Sequence, residues 1–389
     1  MTASAATAQS TPSYPQKELF GPGPSKVCPR VLQAAARPTL GHMDPDFIAL
    51  MDETRALLRY AFQTDNELTF PLSAPGSAGM EACLVNLLEP GDCAVICRNG
   101  VFGDRMAEIA RRAGARVVTV DAPWGEPVSP AAVDDALSSN PGSKVLAFVH
   151  AETSTGVLSD AGELAEIARR HGALTVVDAV TSLGGVPVQV DEWQLDAVYS
   201  GSQKCLSSPP GLSPVTVSPR ALDVVARRQV PVQSWFLDFS FLMGYWSGSK
   251  RAYHHTAPVN AIYALHESLV MLREEGLDAA WARHRESHEA LATGLQALGL
   301  ELLVSPAHRL PQLNVVPVPS DIDDARVRAA LLAGHDIEIG AGLGEFAGKV
   351  WRIGLMGYGA TPESATLVLG ALGDVLAQQR GGPVSASIA

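Results

Sequence analysis

Apolar residues fall into two rhythms along this chain. Short unbroken runs rich in valine alternate with longer stretches in which apolar positions recur every three or four residues. The runs CAVICR (93–98), RVVTVDAP (116–123), KVLAFVHAE (144–152) and LTVVDAV (174–180) predict strands buried on both faces. Three segments among them predict helices. GMEACLVNLLEPGD ends at Pro-Gly, DRMAEIARRAGA is amphipathic and stops at Gly114, and GELAEIARRHG separates the last two strands. AVYSGS and SPVTVSP add two more short strands. Alternation of this kind predicts an α/β domain around a mostly parallel sheet flanked by helices.

Past about residue 258 the rhythm changes. Two long helical patterns, about 259–273 and 278–298, come first. ELLVS, LNVVPVP, the helix DDARVRAALLAG, IEIG, VWRIGLM and the closing helix PESATLVLGALGDVLAQQ follow, an α+β arrangement. The expected division is a flexible tail over 1–19, a large domain over 20–275, a smaller C-terminal domain over 276–380 and a second tail over 381–389. The opening MTASAATAQSTPSYPQ has no basic start and no apolar run, so it predicts a tail and not a signal peptide. The apolar stretch from Trp235 to Trp246 is interrupted by Asp238 and is too short to span a bilayer.

Charge and cysteine content narrow the function. A net charge of -12 argues against nucleic acid or an anionic membrane as partner, so an anionic substrate needs a local basic site. The five cysteines are odd in number and form no CxxC pair, as expected of a reduced cytoplasmic protein.

Candidate chemistry gathers at strand ends, where α/β sheets bind ligands. Only six lysines occur, and Lys204 stands in YSGSQKCLSSPPG, among small residues and a Pro-Pro-Gly turn. It is either a solvated lysine or one held at a strand end and desolvated, hence able to lose its proton for Schiff-base chemistry. Asp178 closes LTVVDAV, and the lysine is expected at the end of the next strand but one. Alone the carboxylate caps a turn or meets a cation; with a lysine downstream it fits a partner for a pyridinium nitrogen, with Val180 against one ring face. SAPGSAGMEA opens a helix, and Gly76, Ser77 and Ala78 are candidate N–H donors to a phosphate, or an ordinary N-cap. Phe102 either stacks on the second ring face or packs in the core, and Thr153 either bonds a cofactor or caps a turn. Arg352, in the apolar run VWRIGLM, must be paired or functional, and a guanidinium can take a carboxylate through two parallel hydrogen bonds. In YHHTAPV, neighbouring His254 and His255 would point apart on a strand and have no third ligand close in sequence, so no metal site is expected.

Taken together, FGPGPS, FQTDNELTFPLSAPGSAGMEA, HAETSTGV, VVDAVTSLGG, DAVYSGSQKCLSSPPG, YHHTAPV, HRESHEAL, IEIGAGLG and KVWRIGLMG resemble class V aminotransferases of the alanine–glyoxylate and serine–glyoxylate (serine–pyruvate) group. The resemblance spans residues from about 20 to 378. It implies fold type I of the pyridoxal 5'-phosphate enzymes, and a homodimer with active sites at the subunit interface. It implies transfer of an amino group from alanine or serine to glyoxylate or pyruvate. By the same resemblance Lys204 is the Schiff-base lysine and Asp178 the pyridinium partner, with Phe102 stacked on the ring and Thr153 beside it. Gln203 and the 76–78 loop would hold the phosphate, joined by Tyr253 and Thr256 of the other subunit. Arg352 would bind the substrate carboxylate, and Gly21 to Gly23 and Gly41 would line the pocket. Two departures stand out. Where the animal enzymes carry a Gly-Ser-Gly-His phosphate loop, Pro75-Gly76-Ser77-Ala78 lacks one backbone donor, for which the Ser77 hydroxyl is the expected compensation. Ureidoglycine–glyoxylate aminotransferases carry Gln after the pocket glycine and Asn before the His pair, and here His42 and Tyr253 stand there. Ureidoglycine transfer, and a lyase or desulfurase of the same fold, are the alternatives.

Overall fold

The computed structural model describes residues 15–247 and 251–381. Its strands, in chain order, are β1 (Glu18–Phe20), β2 (Leu68–Leu72), β3 (Cys93–Arg98), β4 (Arg116–Asp121), β5 (Val145–Val149), β6 (Ala151–Glu152) and β7 (Val157–Leu158). Then come β8 (Leu174–Asp178), β9 (Ala197–Tyr199), β10 (Ser213–Val217), β11 (Leu313–Pro317), β12 (Ile337–Ala341) and β13 (Val350–Gly354).

Seven strands form one sheet in the order β2-β10-β9-β8-β5-β3-β4. It is parallel throughout except at β10, which runs antiparallel to both neighbours. Every residue of β5, β8 and β9 is buried, as the valine-rich runs predict for strands covered on both faces. β2 is an addition. Its LTFPL takes the edge of the sheet, where Pro71 stands opposite Pro214 of β10. The segment Trp235–Trp246 resolves into a helix, Phe239–Trp246, whose first turn is capped by Asp238, the residue that interrupts the apolar run. Phe239 and Trp246 then pack on Phe70 of β2.

The two long helices span Val259–Glu275 and Leu277–Ala297. Gly276 separates them at φ +87°, a conformation side chains rarely adopt. A second sheet follows, in the order β1-β12-β13-β11, and has its own core of Phe20, Trp351, Ile353 and helical leucines such as Leu291 and Leu372. Two expectations differ here. Glu18 and Leu19, assigned by composition to the tail, pair in parallel with Ile337 and Glu338 as part of β1. ELLVS, though apolar, forms no strand; Leu303 makes one backbone bond to Val315 and the rest stays irregular.

Candidate active site

β8 and β9 are parallel neighbours, and their register sets Asp178 directly beside Tyr199. Asp178 Oδ2 accepts the Tyr199 hydroxyl at 2.8 Å, and Oδ1 accepts the Val180 N–H at 2.8 Å. The residue is 3% exposed. Burial pushes its carboxyl up to about 6, while the Val180 and Tyr199 donors and the nearby Lys204 favour the charged form. A cation brought to this carboxylate therefore meets an acceptor already fixed in direction.

Lys204 stands in the loop between β9 and β10. It thus follows the strand next in sequence after Asp178, not the next but one, and adjacency of β8 and β9 brings both groups to one sheet end. The segment near the start of the chain closes over it. Lys204 Nζ donates to the Pro22 carbonyl, the Ser25 hydroxyl donates to the Lys204 carbonyl at 2.6 Å, and the Ser25 N–H donates to Gln203 O at 2.8 Å. Gly23 sits at φ +109°, and a Cβ there would lie 2.6 Å from Nζ, so glycine is required beside the amine. Gly21 lies further off, against β12 and the β13 residue Gly354. Burial, then the neighbouring Arg352 charge, pushes the Lys204 ammonium down to about 8.

Both groups open into a cavity of about 240 Å³. Phe102, Val180, Thr153 and Gln203 line it, and so do Pro75, Gly76 and Ser77 at the start of the helix Gly76–Leu87. No side chain of its own caps that helix, so its first N–H groups face an incoming anion. Ala78 contributes less than expected: its N–H donates to the Pro75 carbonyl at 2.8 Å. Gln203 Oε1 is buried without a hydrogen-bond partner. A buried carboxylate, an amine of lowered proton affinity, apolar side chains and a helix start form one pocket. These residues fit a flat ligand with a cationic ring nitrogen, a carbonyl carbon and an anionic arm.

The family model for class V aminotransferases matches residues 19–351. The chain belongs to the class V aminotransferase family. It is 42% identical to the alanine–glyoxylate aminotransferase of Rattus norvegicus over 368 residues, 94% of this chain and 88% of that one. It is 39% identical to the (S)-ureidoglycine–glyoxylate transaminase of Bacillus subtilis over 387 residues, 95% of this chain and 92% of that one. The solved alanine–glyoxylate aminotransferase from Nostoc sp. superposes with a TM-score of 0.93 at 47% identity, covering 95% of this chain and 97% of that one.

In this aminotransferase Arg352 lies on β13, 6% exposed. Its Nε donates to Ala341 O at 2.7 Å and its Nη1 to Thr153 O at 3.1 Å. Among the described residues no carboxylate forms an ion pair with it; the buried guanidinium is oriented by carbonyls, and the nearby Glu152 carboxylate favours its charge. Three expected residues lie apart from the cavity. Tyr253 is 63% exposed, its hydroxyl is 3.4 Å from Thr256 Oγ1, and its ring is 5.3 Å from that of His42, next to exposed Gly41. YHHTAPV is irregular and not a strand, so His254 and His255 turn toward each other, with Nδ1 atoms 2.8 Å apart. Among the described residues no group of three His, Cys, Asp or Glu side chains is placed to hold a metal.

Three contributors were not anticipated. Tyr199 ends AVY, and its task depends on which strand lies beside it. Glu152 is fully buried and accepts from Ser154 N–H at 3.0 Å, the Ser154 hydroxyl at 2.6 Å and Phe102 N–H at 3.2 Å. It thereby fixes the start of the helix Val101–Arg112 that carries Phe102, and burial pushes its carboxyl up to about 7. Arg105, one turn past Phe102, lines the same cavity.

Proposed function

We propose that this chain is a pyridoxal 5'-phosphate-dependent aminotransferase moving an amino group from a small L-amino acid, alanine or serine, to glyoxylate or pyruvate. The observation that carries the reading is Asp178 and Lys204 lining one cavity together with Phe102 and Val180. When bound, the cofactor supplies an electron sink for the bond broken at the substrate Cα. Asp178 holds the ring nitrogen protonated. Lys204, with its ammonium pushed down to about 8, is neutral in part near physiological pH and would take the proton from the substrate Cα and hold it for return. Phe102 and Val180 hold the ring plane. Arg352, steered by the Ala341 and Thr153 carbonyls, takes the substrate carboxylate in a forked pair.

The working unit in this reading is a homodimer. Gly41, Tyr253 and Thr256 would complete the site of the other copy, which accounts for a tyrosine 63% exposed on its own chain. Five free, buried cysteines support a cytoplasmic setting. The desulfurase alternative is disfavoured at Cys205: its thiol is buried against the Thr181 carbonyl and pushed up to about 12, far from a nucleophilic thiolate. The ureidoglycine alternative draws on the Bacillus subtilis relative.

The test is the visible absorbance of the purified protein. A yellow band that bleaches with L-alanine or L-serine and returns with glyoxylate supports transfer and names the donor. A band that neither donor bleaches, but ureidoglycine does, replaces the donor. A protein that stays colourless when pyridoxal phosphate is added sinks the proposal, as does near-parental turnover in Lys204→Ala.

A further inference from the structure

The phosphate end of the cavity is short of positive charge. Pro75 has no N–H, and the Ala78 N–H is spent on the Pro75 carbonyl. A helix start supplies the equivalent of roughly half a positive charge, whereas a phosphate ester carries about -1.5 to -2 at neutral pH. Of the side chains lining the cavity two are basic, Lys204 and Arg105. Lys204 is committed to the reacting carbon.

Arg105 is placed for this charge. Its Nη1 donates to Ser77 Oγ at 2.9 Å, on the helix start itself. Its guanidinium carbon lies 4.9 Å from the centre of the Phe102 ring. The acidic residues nearest in sequence are engaged elsewhere: Asp104 with Arg98 at 3.0 Å, and Glu108 with Arg112 at 2.8 Å. Among the described residues no carboxylate pairs with Arg105. A hydroxyl and an aromatic face orient the guanidinium without neutralising it.

We infer that Arg105 is a phosphate-binding residue of the cofactor site, standing in for the donor that Pro75 lacks and bridging to Ser77. The inference rests on the pyridoxal phosphate reading above. It assigns Arg105 two linked tasks: to attract the dianion, and to keep Phe102 beneath it facing the ring.

The experiment compares pyridoxal phosphate with pyridoxal, which lacks only the phosphate. The protein is freed of cofactor and titrated with each, reading the visible band. Arg105→Gln should raise the dissociation constant for pyridoxal phosphate roughly tenfold or more and leave that for pyridoxal within about twofold. Arg105→Lys, which keeps the charge, should recover most of the preference for the phosphorylated form. Arg105 is exposed, so both variants are expected to fold, and unchanged thermal melting of the cofactor-free protein verifies it. Equal weakening of both ligands would assign Arg105 to ring packing alone and overturn the inference, as would no change in either. If the parent protein binds neither ligand, the pyridoxal phosphate reading itself falls, and that outcome is distinct because it precedes any substitution.

Discussion

The two ends of the cavity are built in opposite ways. At the inner end Asp178 closes a strand buried along its whole length, and both its oxygens are held by donors at 2.8 Å. At the outer end Arg105 projects from a surface helix and rests on one hydroxyl and one ring. The tasks proposed for them differ accordingly. Keeping a ring nitrogen protonated demands one direction and one protonation state, which packed strand ends provide. Holding a phosphate is mostly a matter of charge, which a side chain on a helix provides without burial.

This contrast predicts a graded response to substitution. Asp178→Asn should act most strongly, lowering turnover on the order of 100- to 1000-fold even when cofactor is saturating, because a fixed charge at the ring is lost. Arg105→Gln, measured the same way, should be rescued by excess pyridoxal phosphate. If both variants lose turnover alike at saturation, the two ends are not different in kind. Arg352→Gln comes next. Its KM for the amino donor should rise on the order of 30-fold, equivalent to about 2 kcal/mol of charged hydrogen bonding, with a smaller change in kcat. An effect confined to kcat would mean that Arg352 does not hold the substrate in its ground state. Tyr199→Phe is the mildest and sharpens the inner end. The Tyr199 hydroxyl donates to the carboxylate and so favours the charged form; without it Asp178 keeps its proton to higher pH. The acid limb of cofactor binding by the cofactor-free protein should therefore move up from about 6 by about one unit. A limb that stays put or moves down removes Tyr199 from the account.

How much of this was legible in the chain follows the same division. Asp178, Lys204, Thr153 and Arg352 stand at the ends of, or within, strands so apolar that a polar residue there calls for a purpose, and the structure sets all four about one site. Gly23 was found through its motif, and its cause is plain only in space, in the amine a Cβ would strike. Tyr199 could not be read, since nothing in AVY says that β9 lies against β8 and not elsewhere in the sheet. Arg105 follows Phe102 at helical spacing, so a role for one implies proximity of the other. β1 was invisible because three residues have no period, and its partner strand lies near the other end of the sequence.

That small strand has a consequence for how the protein is made. Residues 18–20 are locked into a sheet whose other strands are all synthesised after the last strand of the large sheet, and residues 22–25 run directly from it onto the Lys204 loop. During translation the large sheet can assemble, complete with Asp178 and Lys204, while the segment that covers the lysine still has no anchor. β1 gains its sheet partner once β12 has emerged, so the strand that leads into the cover of Lys204 is anchored after the large sheet, together with the second core.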